Sequence, residues 1–269
     1  NLNFTTQLVI STHSSHIAIE TTFGNLRYFK RLPEGTECAV ATSKVINLSD
    51  VFGDSDQTNK FVTRYLQSTH CDLFFADAAI LVEGVAESML LPHFIRSKFP
   101  ELYQRYITIL GVNGRHAHRL SPLIEKLCLP TLVITDLDPA EKEGYHKSVV
   151  PKRGEGQISG NYAIAKWLMK EKDIDKLVDY SEDKKEFSFA SPYRFSIRLA
   201  YQTPVKVDFE GEEKEAIPGT FEDCLIYTNY DLFKKIKVTD SGNLVEQTHD
   251  LLNSNDTFEM IHEKIYKML

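Results

Sequence analysis

The sequence predicts an α/β protein built on a parallel sheet, and three short apolar runs separated by helical segments carry that expectation. The runs are Ala78-Ala79-Ile80-Leu81-Val82, Tyr106-Ile107-Thr108-Ile109-Leu110 and Thr131-Leu132-Val133-Ile134-Thr135. Each is mostly apolar and β-branched without strict alternation, as a strand covered on both faces must be. Between the first two, Ala86 to Lys98 reads as a helix stopped ahead of Pro100, and between the last two Pro122 to Leu127 lies on another. Strand, helix, strand, helix, strand is a right-handed crossover series.

The flanking segments follow in chain order. Leu8-Val9-Ile10 reads as a strand, leading through the polar residues Ser11 to His16 into a short helix from about Ile17. Leu26 to Phe29 and Cys38 to Val45 suggest a hairpin around Pro33-Glu34-Gly35. The polar stretch Gly53 to Asn59 breaks the pattern and marks a domain boundary, dividing the chain into residues 1–53 and 54–269. From Asn59 to Gln67, Phe61, Val62, Tyr65 and Leu66 recur at helical spacing. Beyond Asp138 the polar stretch Pro139 to Gly160 suits a surface loop beside an active site. A helix is expected from Tyr162 to Lys170 with Trp167 on its apolar face, strands within Phe187 to Val207, and a last helix from Phe258 to Leu269. These form a C-terminal elaboration on the sheet.

Composition narrows the function classes. With 269 residues and 42% hydrophobic, the chain can bury a sizeable core. No apolar run approaches the ~18 residues of a membrane span, and no secretory leader pattern opens the chain. A soluble cytoplasmic protein without membrane attachment is therefore expected. Cys38, Cys71, Cys128 and Cys224 are widely spaced, which argues against both a zinc site and a disulfide framework. The formal charge of −7 disfavours nucleic-acid binding over the whole surface, yet permits a local basic track beside clustered carboxylates. Because the chain opens on Asn1 rather than Met, it reads as a piece of a longer protein.

Both acidic motifs fall where an open parallel sheet gathers its functional groups, beyond the carboxyl ends of the strands. Glu83 ends the first buried run and Glu87 lies four residues on, in the first turn of the following helix. Asp136 and Asp138 end the third run, and their two-residue separation puts both on one side of an extended segment. Carboxylates that converge repel one another unless cations intervene, and an all-oxygen set favours magnesium, manganese or calcium over zinc.

Ile80-Leu81-Val82-Glu83-Gly84 followed by Asp136-Leu137-Asp138 resembles the Toprim signature of topoisomerases, primases and several nucleases. The closer resemblance is to the OLD (overcoming lysogenization defect) family of ATPase-nucleases, including its Gabija-type phage-defence members. It is carried by Asp72-Leu73-Phe74-Phe75-Ala76-Asp77, by Glu83 to Glu87, by Val133 to Asp138, and by Tyr201-Gln202-Thr203-Pro204-Val205 and Thr220-Phe221-Glu222-Asp223 downstream. It implies a Toprim-like sheet and a DNA endonuclease using two magnesium ions, with manganese or calcium able to replace them in binding. Glu83, Asp136 and Asp138 would be catalytic, and Glu83, Glu87, Asp136 and Asp138 would hold metal. Asp136 would lie between the ions, with Ser159 and Glu222 serving the second. Asp223 is included with them, although neighbouring side chains of an extended segment point oppositely.

The resemblance also implies that Gln7 to Ser14 is the end of an ABC-type ATPase domain, with His13 its remnant switch histidine, and that residues 1–53 belong to that domain. No Gly-x-x-x-x-Gly-Lys-Ser/Thr loop occurs in the chain, so no ATP hydrolysis is expected from it. The implied partners are DNA, the rest of the ATPase domain and a helicase-like protein, with a homo-oligomer left open. Arg115 and Arg119, after the second run, and Lys147, Lys152 and Arg153, in the long loop, are candidate DNA-backbone contacts. The family's C-terminal lysine motif has no clear match, and neither Lys264 nor Lys267 is assigned to it. Competing readings are a Toprim topoisomerase or primase, for which no nucleophilic tyrosine or template-binding module stands out, and a catalytically silent helicase-binding or oligomerisation module, against which the retained acidic groups argue.

Overall fold

The computed structural model describes residues 7–21, 23–32, 34, 39–48, 51, 71–112, 116–142, 147–190, 193–238 and 242–269. The expected boundary at Gly53–Asn59, the Asn59–Gln67 helix, Cys38, Arg115, and Pro33 and Gly35 of the expected turn lie outside these residues.

The N-terminal hairpin pairs β1 (Arg27–Leu32) with β2 (Thr42–Asn47) antiparallel. Ile46 and Leu48 pack into the main core, and Lys30 Nζ donates to the carbonyls of Leu127 and Cys128 at 2.6 and 2.9 Å. A cation there satisfies the last carbonyls of the Ser121–Leu127 helix. The short helix runs Ser15–Glu20, close to expectation, but the Leu8–Ile10 strand does not form. These three side chains are exposed and pair with no strand among the described residues. An apolar triplet with no ladder partner has no backbone bonds to gain by extending.

The main sheet contains the three predicted strands. β3 (Ala78–Val82) pairs in parallel with β4 (Ile107–Gly111) on one side and β5 (Thr131–Ile134) on the other, so that Ile80 faces Ile109 and Leu132 in register. The Pro139–Gly160 stretch is pinched at its base by β6 (Pro139–Ala140) against β7 (Ile158–Ser159). β8 (Glu186–Phe189) and β9 (Phe195–Ala200) complete a five-stranded sheet of order β4-β3-β5-β9-β8, parallel except for β8. Helices Val85–Lys98 and Ser121–Leu127 make the crossovers. In the second, Leu123, Ile124 and Leu127 bury one face, and Cys128 at φ 48° ends it. The sheet is thus the Toprim-like α/β arrangement expected.

Two C-terminal differences matter. Where a regular helix over Tyr162–Lys170 was expected, residues Ala163–Trp167 form a π-helix that breaks before Lys170 at φ 56°. Trp167 packs against the core and donates to Glu125 at 3.1 Å, so the apolar-face reading holds although the helix type does not. The chain then builds a second small core. The hairpin β10 (Val205–Phe209) and β11 (Glu212–Ala216) turns through Glu210 and Gly211, both at positive φ, as a two-residue turn with matching twist requires. Val207 and Ala216 pack there with Ile226, Tyr227, Phe258 and Ile261 of the last helices.

Leu81 is fully buried at the middle of β3, whereas Leu8 is exposed. Leu81→Ala should cost about 2–5 kcal/mol and Leu8→Ala less than about 0.5 kcal/mol in urea-unfolding experiments.

Candidate functional site

Because β3 and β5 are adjacent and parallel, the residues that follow them emerge at the same edge. Glu83 directly follows β3, and Asp136 and Asp138 follow β5. Glu83 Oε1 accepts hydrogen bonds from Thr135 Oγ1 and, at 2.7 Å, from Asn161 Nδ2. The same Asn161 amide nitrogen reaches Asp138 Oδ2 at 3.1 Å. Its orientation is set from behind, because Asn161 Oδ1 accepts from Ala163 N–H at 2.9 Å, at the start of the π-helix. Asp136 Oδ1 accepts from Gln202 Nε2 at 2.6 Å, while Gln202 Oε1 accepts from Leu137 N–H at 2.9 Å. One buried amide thus joins Glu83 to Asp138, and another holds Asp136 (Asn161 and Gln202).

Glu87 arrives from the first turn of the Val85–Lys98 helix and is buried, and its Oε2 has no hydrogen-bond partner among the described residues. The carboxylate folds back over Gly84, where an added Cβ would lie 2.5 Å from Glu87 Oε2. A side chain there would have to displace the flexible end of Glu87. Asp138 takes φ 48°, a left-handed conformation that costs a non-glycine residue about 1–2 kcal/mol and that clusters at functional positions. Gly160 N–H donates to its carbonyl at 2.9 Å and holds it.

The charges press on one another. Burial, then the neighbouring charge of Glu83, pushes the Asp136 carboxyl up to about 8 against the pull of its Gln202 hydrogen bond, and Asp138 and Glu87 add to the rise. Burial also raises Glu83, opposed by Thr135 and Asn161 and reinforced by Asp138. Burial raises Glu87, opposed by the backbone N–H groups of Glu87 and Gly84 and reinforced by Glu222. The acidic groups form one electrostatic network running from Asp138 to Glu222.

The donor chemistry fits a hard divalent cation: the network is all carboxylate, repels itself, and includes a buried oxygen with no donor. Among the described residues no three acidic, His or Cys side chains close on one point as a ready cage.

Residues 74–138 match a family model described as the Toprim domain of overcoming lysogenization defect (OLD) protein-like proteins. The chain carries an OLD-like Toprim domain. Over its whole length it is 28% identical to Endonuclease GajA of Bacillus cereus (strain HuB5-5), covering 37% of that protein. It is 23% identical over 95% of its length to Endonuclease GajA of Bacillus cereus (strain VD045), covering 43% of that protein. The chain thus spans about two fifths of the length of these curated relatives.

Around this Toprim centre the other expected residues separate. Ser159 is buried opposite Pro139, one residue from Asp138, and its Oγ accepts from Asn161 N–H at 3.1 Å. Glu222 lies within electrostatic reach of Glu87. Asp223, next to it, points away into a capping box: its oxygens accept from Gly219 and Thr220 N–H at 2.9 Å each, and Thr220 Oγ1 accepts from Asp223 N–H. Burial still lifts its carboxyl to about 6. Arg153 is engaged within the chain, 2.6 Å from Glu215 and 2.8 Å from Asp179. Arg119 sits in the 3-10 turn Ala117–Leu120 after β4. Lys147 and Lys152 line a cleft considered below. His13 is exposed in irregular chain.

Three residues that hold the site were not singled out from the sequence: Thr135, Asn161 and Gln202. Thr135 and Gln202 stand in stretches already noted and Asn161 directly follows one, but nothing in their immediate neighbours, Ile134-Thr135-Asp136, Gly160-Asn161-Tyr162 and Tyr201-Gln202-Thr203, marks them out.

Two outcomes follow. Between about pH 4 and 8 the folded chain holds an Asp136 proton that the unfolded chain has released. This group's contribution to stability is therefore present at low pH and lost as pH rises through about 8. In chelator, the midpoint of thermal unfolding should fall over that rise, and Asp136→Asn should flatten the slope; equal slopes would refute the assignment. Separately, Asp223→Ala should destabilise by about 1–2 kcal/mol through loss of the cap, and Glu222→Gln by less than about 0.5 kcal/mol, in chemical denaturation.

Proposed function

We infer that this Toprim domain is the catalytic part of a divalent-cation-dependent endonuclease that hydrolyses DNA phosphodiester bonds, acting in phage defence or DNA processing. The observation that carries the reading is the coupled acidic network at the shared edge of β3 and β5, with Asp136 raised to about 8. The printed names of the relatives, both endonucleases, support it.

Glu83, Glu87, Asp136 and Asp138 would hold magnesium, with Glu222 and Ser159 as further ligands where a second ion binds. When bound, the cations supply charge stabilisation at the attacked and leaving oxygens and a water acidic enough to attack. The chain's own part is positioning. Thr135 and Asn161 hold Glu83 where it can accept or relay a proton. Gln202 ties Asp136 to the backbone of Leu137, so that its free oxygen keeps one direction. Manganese would replace magnesium, and calcium would bind. The reading extends to the longer protein: an ATPase domain whose end is residues 1–53, with His13 its remnant switch histidine, and residues 54–269 the nuclease part, working in the cytoplasm with a helicase-like partner and open to homo-oligomer formation.

The test is nicking of supercoiled plasmid by the full-length protein in magnesium, manganese, calcium or chelator. Cleavage should appear with magnesium or manganese and vanish in chelator. Glu83→Gln and Asp136→Asn should each lower it by at least about 100-fold, and Asn161→Ala by about 10–100-fold, with circular dichroism unchanged. Cation binding without cleavage in any of these conditions would make the domain a silent interaction module instead.

A further inference from the structure

The C-terminal helix Phe258–Met268 and the segment between β6 and β7 face each other across a cleft of about 790 Å³. Lys142, Lys147, Lys152 and Lys267 line it, together with Ser148 and Tyr266. All four lysines are exposed. Lys267 is paired with Glu263, but among the described residues Lys142, Lys147 and Lys152 have no ion-pair partner. Glu141 and Glu155 share the lining without pairing to them. In a chain of formal charge −7, four lysines against three glutamates (Glu141, Glu155 and Glu263) make the described lining locally basic.

The cleft neighbours the acidic site: Ser148 of its wall bridges Ala140, Val149 N–H donates to the Pro139 carbonyl at 3.0 Å, and Pro139 directly follows Asp138. The Tyr266 hydroxyl lies 2.7 Å from Ser148 Oγ in the cleft wall, and Asp138 and Asp136 act on it electrostatically from the other side. The ring packs on Gly219, where an added Cβ would come within 2.6 Å, directly ahead of the capped turn that carries Glu222. Tyr266 therefore stands between the lysine-lined cleft and the turn at Gly219–Thr220 that leads into Glu222. A polyanion laid along the lysines would pass beside the acidic edge.

We propose that this cleft is the track for the phosphodiester backbone of the DNA substrate, with Lys142, Lys147 and Lys152 contacting successive phosphates and Tyr266 between the track and the turn into Glu222. The proposal rests on the nuclease reading above and adds where the strand runs. Lysine contacts of this kind carry no sequence information, so the track is expected to bind DNA of any sequence.

The experiment measures binding of a fluorescent DNA duplex to the full-length protein in chelator, by anisotropy, over a series of salt concentrations. Each phosphate contact removed should reduce the slope of log K against log salt by about one. Lys147→Ala/Lys152→Ala should therefore bind more weakly, with a slope smaller by about two. Lys206→Ala/Lys214→Ala, on the β10–β11 hairpin where both lysines are paired with glutamates, should bind like the unaltered protein. Nicking with an unchanged affinity and slope in the cleft variant would overturn the track and leave the nuclease reading standing. A full-length protein that neither binds nor nicks DNA would overturn both.

Discussion

Everything at the site follows from one constraint: two neighbouring parallel strands, β3 and β5, end at the same edge and each ends in acid. Parallel pairing leaves no choice about this, because strands running the same way deliver their next residues to the same side. Burial of the strands, on which the core depends, also draws Asp136 and Glu83 out of water. The packing that stabilises the sheet is therefore what makes its edge unstable toward ionisation. A soluble fold tolerates such an edge only if protein donors or a cation offset the charge.

The donors are placed by the irregular parts of the chain. Asn161 lies at the turn where the chain enters a π-helix, and that helix's first amide fixes the side chain. Gln202 follows β9, the next parallel strand, and bridges Asp136 to the Leu137 backbone. Strained or tight geometry gathers at the same place: Asp138 at positive φ, and Gly84 pressed against Glu87. The first costs folding energy that an open turn would not.

This explains what the sequence made legible. Buried parallel strands announce themselves as short apolar runs, so β3, β4 and β5 and the acids after them could be read directly. The amides could not, because a π-turn has no composition of its own and Asn161 reaches Glu83 across 78 positions of chain. The Leu8–Ile10 run illustrates the opposite failure, since apolarity without a ladder partner does not make a strand. Glu222 and Asp223 show the limit of spacing arguments. They are adjacent, yet the helix that starts at Phe221 turns one toward Glu87 and commits the other to its own N-terminus.

That division bears on how the charge is apportioned. Asp223 is buried and raised to about 6, but its oxygens already face backbone N–H groups at a helix N-terminus, where the helix dipole favours an anion. Glu87 is buried with Oε2 unpartnered among the described residues, and the charge that acts on it is another carboxylate, Glu222. The first has its compensation within the fold, whereas the second has only the backbone N–H groups of Glu87 and Gly84. A divalent cation has most to gain where compensation falls short, which places the demand for charge on the Glu87 and Asp136 side of the site rather than at the helix cap.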